Sequence, residues 1–162
     1  MKCTECGSHL KVTSTTYRYV ESGLTDVLLH GVQVRKCPKC GTEDVAIPNI
    51  AGLHRCIAAE LVTRRSALIA RELRFLRQFL GQSSKDFART LGVTAETLSR
   101  WENAKRDIPP VVDRVVRLLV VNTPPRTDYS SDMLAKIRPA PPKHARMALR
   151  LRGDSWGTDR AA

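Results

Sequence analysis

A chain of 162 residues can bury one ordinary core, or one small core with an appended mini-domain. No stretch approaches the roughly 20 apolar residues of a membrane span, no apolar signal core follows Met1–Lys2–Cys3, and five cysteines, an odd number, fit a disulfide framework poorly; the expectation is a cytoplasmic protein with no membrane partner. The net charge of +11 is unevenly spread, with seven Lys/Arg against six Asp/Glu in residues 1–60, twelve against six in 61–123 and eight against four in 124–162, which points to a polyanionic partner, most simply nucleic acid.

Residues 1–49 are rich in β-branched residues and glycine. "KVTSTTYRYV" and "LTDVLLHGVQV" read as short strands around a turn at Glu21–Ser22–Gly23. The same region carries two matching knuckles, "CTECG" at Cys3–Cys6 and "CPKCG" at Cys37–Cys40. In each, two cysteines three positions apart can face one cation, and the following glycine lets the chain turn tightly. Four sulfurs make a closed tetrahedral site for one structural Zn²⁺ per chain, with no open position for catalytic water. A redox dithiol or unmetallated core cysteines are the rival readings. The first expects a single motif opening a helix in a βαβ unit, and neither knuckle has that setting. His9, His30 and His54 are weaker rival ligands beside four thiolates, and Cys56 reads as core.

Residues 50–65 read as a connecting helix, with Leu53, Ile57 and Leu61 recurring every four residues. Residues 66–122 form the most informative region. "ELRFLRQFLG" predicts a helix stopped by Gly81. Ser83 and Asp86 form a capping-box pair that opens a second, short helix ending at Gly92. Thr94 then caps "AETLSRWE", which turns Leu98 and Trp101 inward and leaves Ala95, Glu96, Thr97 and Arg100 on the outer face. This is the layout of a helix-turn-helix motif. A further stripe, Val112, Val115, Val116, Leu119 and Val120, predicts a last helix. Residues 123–162 look like a Pro-rich basic tail, with a period-2 strand signal near 145–152 that suggests a docking edge.

The segment "LRFLRQFLGQSSKDFARTLGVTAETLSRWENAKRDIP" resembles the Xre/phage-repressor type of helix-turn-helix domain. With the two CxxCG knuckles upstream, residues 1 to about 121 resemble the MqsA-type antitoxins, a YgiT-type zinc finger followed by an Xre domain. The resemblance implies an α+β architecture: a small zinc-binding β-rich module, an all-α five-helix domain and an extended tail. It also implies that the second helix of the motif enters the major groove. Ala95, Glu96, Thr97 and Arg100 then become base-reading positions, Arg100 suited to guanine and Glu96 to cytosine N4. Ser84, Thr94, Ser99, Asn103, Lys105 and Arg106 become phosphate contacts, and Arg77 with Glu102 a structural ion pair. Glu96 stands where the best-known antitoxins of this type carry Asn, Ser84 where these domains usually carry Gln, and Ala104 where they carry Gly.

The functional expectation is a sequence-specific repressor that binds a palindromic operator on double-stranded DNA as a homodimer, with Val112 to Val121 as a candidate interface and intradomain core as the rival reading for several of those residues. By resemblance it is an autoregulating antitoxin whose zinc module neutralises a protein toxin, and it is nucleoid-associated when DNA-bound. The alternative is a stand-alone regulator whose zinc module is structural or senses metal or oxidant. No nucleophile–base set, paired carboxylates or phosphate-cradling glycine loop argues for an enzyme.

Overall fold

The computed structural model describes residues 1–123 and 147–159. The Pro-rich runs expected beyond Thr123, together with Arg146, lie outside the described residues. The chain is α+β, with strands β1 (Lys11–Arg18), β2 (Val27–Lys36) and β3 (Glu43–Ala46), helices α1 (Ile50–Thr63), α2 (Ala70–Phe79), α3 (Ser84–Thr90), α4 (Ala95–Glu102) and α5 (Pro110–Val121), then strands β4 (Met147–Arg152) and β5 (Ser155–Thr158). It divides into two units. The first holds residues 1–20, 25–53 and the described tail; the second holds Glu21–Leu24 and the chain from His54 to Thr123. The division falls inside α1, so most of that helix belongs to the helical unit and is not a separate connector. Among the described residues no helix is long and apolar enough to cross a membrane.

The first unit is a five-stranded sheet in the order β1-β2-β4-β5, with β3 also paired to β2. Its centre is β2, which buries Val27, Leu29 and Val32. That alternation breaks its period of two at Gly31, whose φ is +79°. Opposite it, the β1–β2 register shifts between Thr15 and Tyr17. One extra residue at a glycine with positive φ is a β-bulge, and it returns Val32 to the inner face. The tail strand near 145–152 lies at Met147–Arg152 and pairs in parallel with β2, Val27 beside Met147 and Leu29 beside Leu149. Met147 and Leu149 are buried. Gly153, at φ +59°, allows the two-residue turn into β5, and the Trp156 indole N–H donates to the Pro48 carbonyl at 3.1 Å. These residues therefore complete the chain's own sheet and are not a free docking edge, which corrects the sequence reading. A parallel partner about 120 residues away leaves no local signal.

In the helical unit the expected caps are in place. Ser83 Oγ accepts from the Asp86 N–H and Thr94 Oγ1 from the Thr97 N–H, both at 3.1 Å. Gly81 and Gly92 end their helices at φ +67° and +68°. The apolar positions Leu61, Leu73, Leu76, Phe87, Leu98 and Val116 are fully or almost fully buried. Helix α5 departs from expectation. Its inward face is Asp113, Val116, Arg117 and Val120, whereas Val111, Val115 and Leu118 are exposed. Arg117 is wholly buried and donates to the carbonyls of Leu61, Val62, Arg64 and Ser66 and to the Asp113 carboxylate. The other Asp113 oxygen accepts from the Leu68 N–H at 2.8 Å. The last carbonyls of α1, which have no partner within the helix, thus end on a cation that also suits the negative end of the helix dipole. A second, half-buried pair sits nearby. Arg64 meets Glu72 at 3.2 Å, and Glu72 in turn accepts from the Ile69 N–H; burial raises the Glu72 pKa.

Candidate metal centre and nucleic-acid interface

The two cysteine knuckles fold identically. In the first, the Cys3 N–H donates to Ser8 O and the Gly7 N–H to Cys3 O; in the second, the Cys37 N–H donates to Thr42 O and the Gly41 N–H to Cys37 O. Gly7 and Gly41 sit at φ +71° and +77°, a region open to glycine at little cost. The β1–β2–β3 pairing closes the second knuckle between β2 and β3, while a bridge between Lys2 and His9 closes the first. Both knuckles then point at one spot. The sulfurs meet across the knuckles, Cys3 to Cys40 at 3.6 Å and Cys6 to Cys37 at 3.3 Å.

All four Sγ atoms lie within 4.8 Å of one another. A tetrahedral ion with Zn–S bonds of about 2.3 Å requires sulfurs about 3.8 Å apart, so this donor set fits zinc in number, softness and spacing. The protonation chemistry points the same way. The Thr42 hydroxyl and N–H hold the Cys40 thiol down to about 6, and the Ser8 hydroxyl and N–H lower that of Cys6. At Cys37 the Cys40 N–H acts downward, but burial and the thiol contacts with Cys6 and Cys40 outweigh it and push the value up to about 11. Hydrogen bonds that favour the thiolate form at Cys40 and Cys6 suit a set of ligands that must lose their protons to hold a cation. No other group of three or more potential ligands occurs among the described residues. His30 Nδ1 is instead bonded to the Thr16 hydroxyl at 2.9 Å, and the His54 ring stands edge-on to Phe75. Cys56, expected in the core, is only half-buried.

The nucleic-acid candidates lie on α3, the turn before α4, α4 itself and the loop after it. Leu98, Trp101 and Glu102 bury the inner side of α4. Ala95, Glu96, Ser99 and Arg100 are exposed, and Thr97 is half-exposed. Glu102 anchors the motif from within: Arg77 grips it with two hydrogen bonds, at 2.6 and 3.2 Å, and Arg74 approaches to 3.7 Å. Of the six phosphate candidates, three already serve the fold. Thr94 caps α4; Asn103 donates to the Ser99 carbonyl and hydroxyl and accepts from Arg74. Ser84, Lys105 and Arg106 are exposed. Ala104 adopts φ +55°, a conformation open to glycine at little cost, so the loop carries a local conformational cost. Sequence reasoning missed the Glu96–Arg100 ion pair at 2.5 Å, although the i,i+4 spacing of opposite charges signals it.

Residues 68–128 match the model of a helix-turn-helix domain family. No curated protein and no solved structure matches the chain. The matched domain, with its exposed second helix, supports a DNA-binding regulator.

Proposed function

We propose that the chain is a sequence-specific transcriptional repressor that reads double-stranded operator DNA with α4, and that it acts as the antitoxin of a toxin–antitoxin pair. The observation that carries the DNA reading is the outer face of α4, polar and exposed within a matched helix-turn-helix domain. Ala95, Glu96, Thr97 and Arg100 face the base edges, and Lys105 and Arg106 meet phosphates. Exposed Val111, Val115 and Leu118 recur at helical spacing on α5, a face suited to a second copy and hence to a palindrome. One structural Zn²⁺ per chain is held by Cys3, Cys6, Cys37 and Cys40, and the chain is not an enzyme. The antitoxin role rests on the resemblance of the paired zinc module and Xre domain. A stand-alone regulator that senses oxidant is the second reading, favoured by the exposure of Cys40.

Arg100→Ala weakens discrimination at one base pair by about 1–3 kcal/mol, whereas Lys105→Ala weakens binding to all duplexes alike. Affinity falls steeply as salt rises. Equal loss on every sequence for Arg100→Ala contradicts the base-reading role. A small protein that co-purifies with the natively expressed chain, released only on denaturation, separates the antitoxin from the stand-alone regulator.

A further inference from the structure

On the outer face of α4, Arg100 Nη2 donates to Glu96 Oε1 at 2.5 Å, and both side chains are more than half exposed. An exposed i,i+4 pair contributes little to folding, so its consequence lies in what it does to the two groups. Backbone freedom is already removed there, because the Thr94 cap fixes the first turn and Leu98 and Trp101 fix the inner side. The pair therefore sets where the guanidinium points.

A guanidinium carries five N–H groups, and Glu96 occupies one of them. Parallel N–H pairs lie on two edges of the group, Nη1 with Nη2 and Nε with Nη2; a partner on one Nη2 hydrogen leaves the other edge whole, so Arg100 can keep Glu96 and still give guanine O6 and N7 two donors. Glu96 does not have the same freedom. A lone carboxylate entering the groove is repelled by the phosphates, whereas a paired one enters as half of a neutral unit. The neighbouring cations divide along the same line. Arg89 is held by Asp86 at 3.0 Å, while Lys85, Lys105 and Arg106 form no ion pair among the described residues. Unpaired cations attract any duplex; a paired arginine adds little to that attraction but keeps its directional donors.

We infer that Glu96 is a specificity-determining positioning residue, which holds Arg100 in its guanine-reading pose and lowers the attraction of that arginine for non-specific DNA. The inference rests on the reading of α4 as the base-reading helix. It replaces the direct contact of Glu96 with cytosine expected from the resemblance.

The test uses the full-length, metal-loaded chain and a randomised duplex pool, from which a preferred sequence is selected and then changed one base pair at a time. Glu96→Ala is expected to reduce the preference at the guanine read by Arg100 by roughly threefold to tenfold, the coupling typical of contacting side chains. It also tightens binding to a scrambled duplex and makes the salt dependence steeper by about one phosphate equivalent. Glu96→Gln keeps an acceptor and recovers part of the preference, and the double variant with Arg100→Ala is no worse at that base pair than Arg100→Ala alone. Glu96→Ala binding all duplexes more tightly, with unchanged preference, overturns the inference and leaves Glu96 as a simple repulsive charge. Preference lost at a separate cytosine, with the guanine unaffected, overturns it in favour of direct readout. If Arg100→Ala itself leaves every base preference intact, or no duplex is enriched, the underlying reading of α4 fails and the inference goes with it.

Discussion

The two units of this chain reach order by opposite routes. The helical unit is assembled almost entirely from neighbours: α2 to α5 follow one another within residues 70–121, each stopped or started by a cap, glycine or proline that can be read locally. The sheet unit is assembled from distant pieces, with β4 entering beside β2 from the other end of the chain and two knuckles 30 residues apart sharing one donor cluster. Local order specifies itself residue by residue. Distant order needs something to hold it, and here that is a cation site plus a few buried side chains on β2 and β4. Ionic groups also work differently in the two. In the sheet unit four thiols gather into a donor set that fits a metal ion, whereas in the helical unit Arg117 and Asp113 form a buried ion pair that ends α1.

Removing the metal gives the largest expected effect. Structural zinc binding is worth about 10–16 kcal/mol of apparent free energy. Chelation, or Cys37→Ser, therefore collapses the knuckles and lowers the sheet unit's melting transition while the helical transition stays in place. Calorimetry with metal analysis reads both, and a shared loss of the two transitions breaks the comparison. The mirror experiment is Arg117→Ala, which leaves Asp113 buried without its charge partner. It costs the helical unit about 3–5 kcal/mol, with four-thiolate metal binding unchanged when followed through cobalt spectra.

Leu149→Ala, at the centre of β4, is expected to cost the sheet unit about 2–5 kcal/mol. A negligible effect in denaturant titration contradicts an integral tail strand. The smallest change has the opposite sign. Ala104→Gly relieves a positive φ and stabilises the helical unit by about 1 kcal/mol, seen as a raised helical melting temperature with the sheet transition unmoved.

What the sequence made legible follows the same division. The knuckles, the caps at Ser83 and Thr94, the stops at Gly81 and Gly92 and the inward Leu98 and Trp101 all rest on spacing within a few residues, and each is found in place. The Arg77–Glu102 pair came through resemblance and has the geometry to match. Strands β3 and β5 were not foreseen, because four-residue strands carry too few alternations to register. The β4 strand announced its period but not its partner, since nothing in Met147 to Arg152 encodes parallel pairing with β2. Gly31 hid the bulge that returns Val32 to the core. Arg117 was the deepest miss. A charged residue in a valine-rich helix reads as solvated, and only the convergence of four carbonyls at the end of α1 reveals why it is buried.

The central claim is that DNA is read by the helical unit while the metal-closed sheet serves another partner. Hydrogen exchange on the full-length chain, compared with and without its selected duplex, tests this directly. The account predicts new protection across Ser83–Arg106 and none in β1 to β5. Protection that appears in the sheet strands, with α4 unchanged, contradicts it.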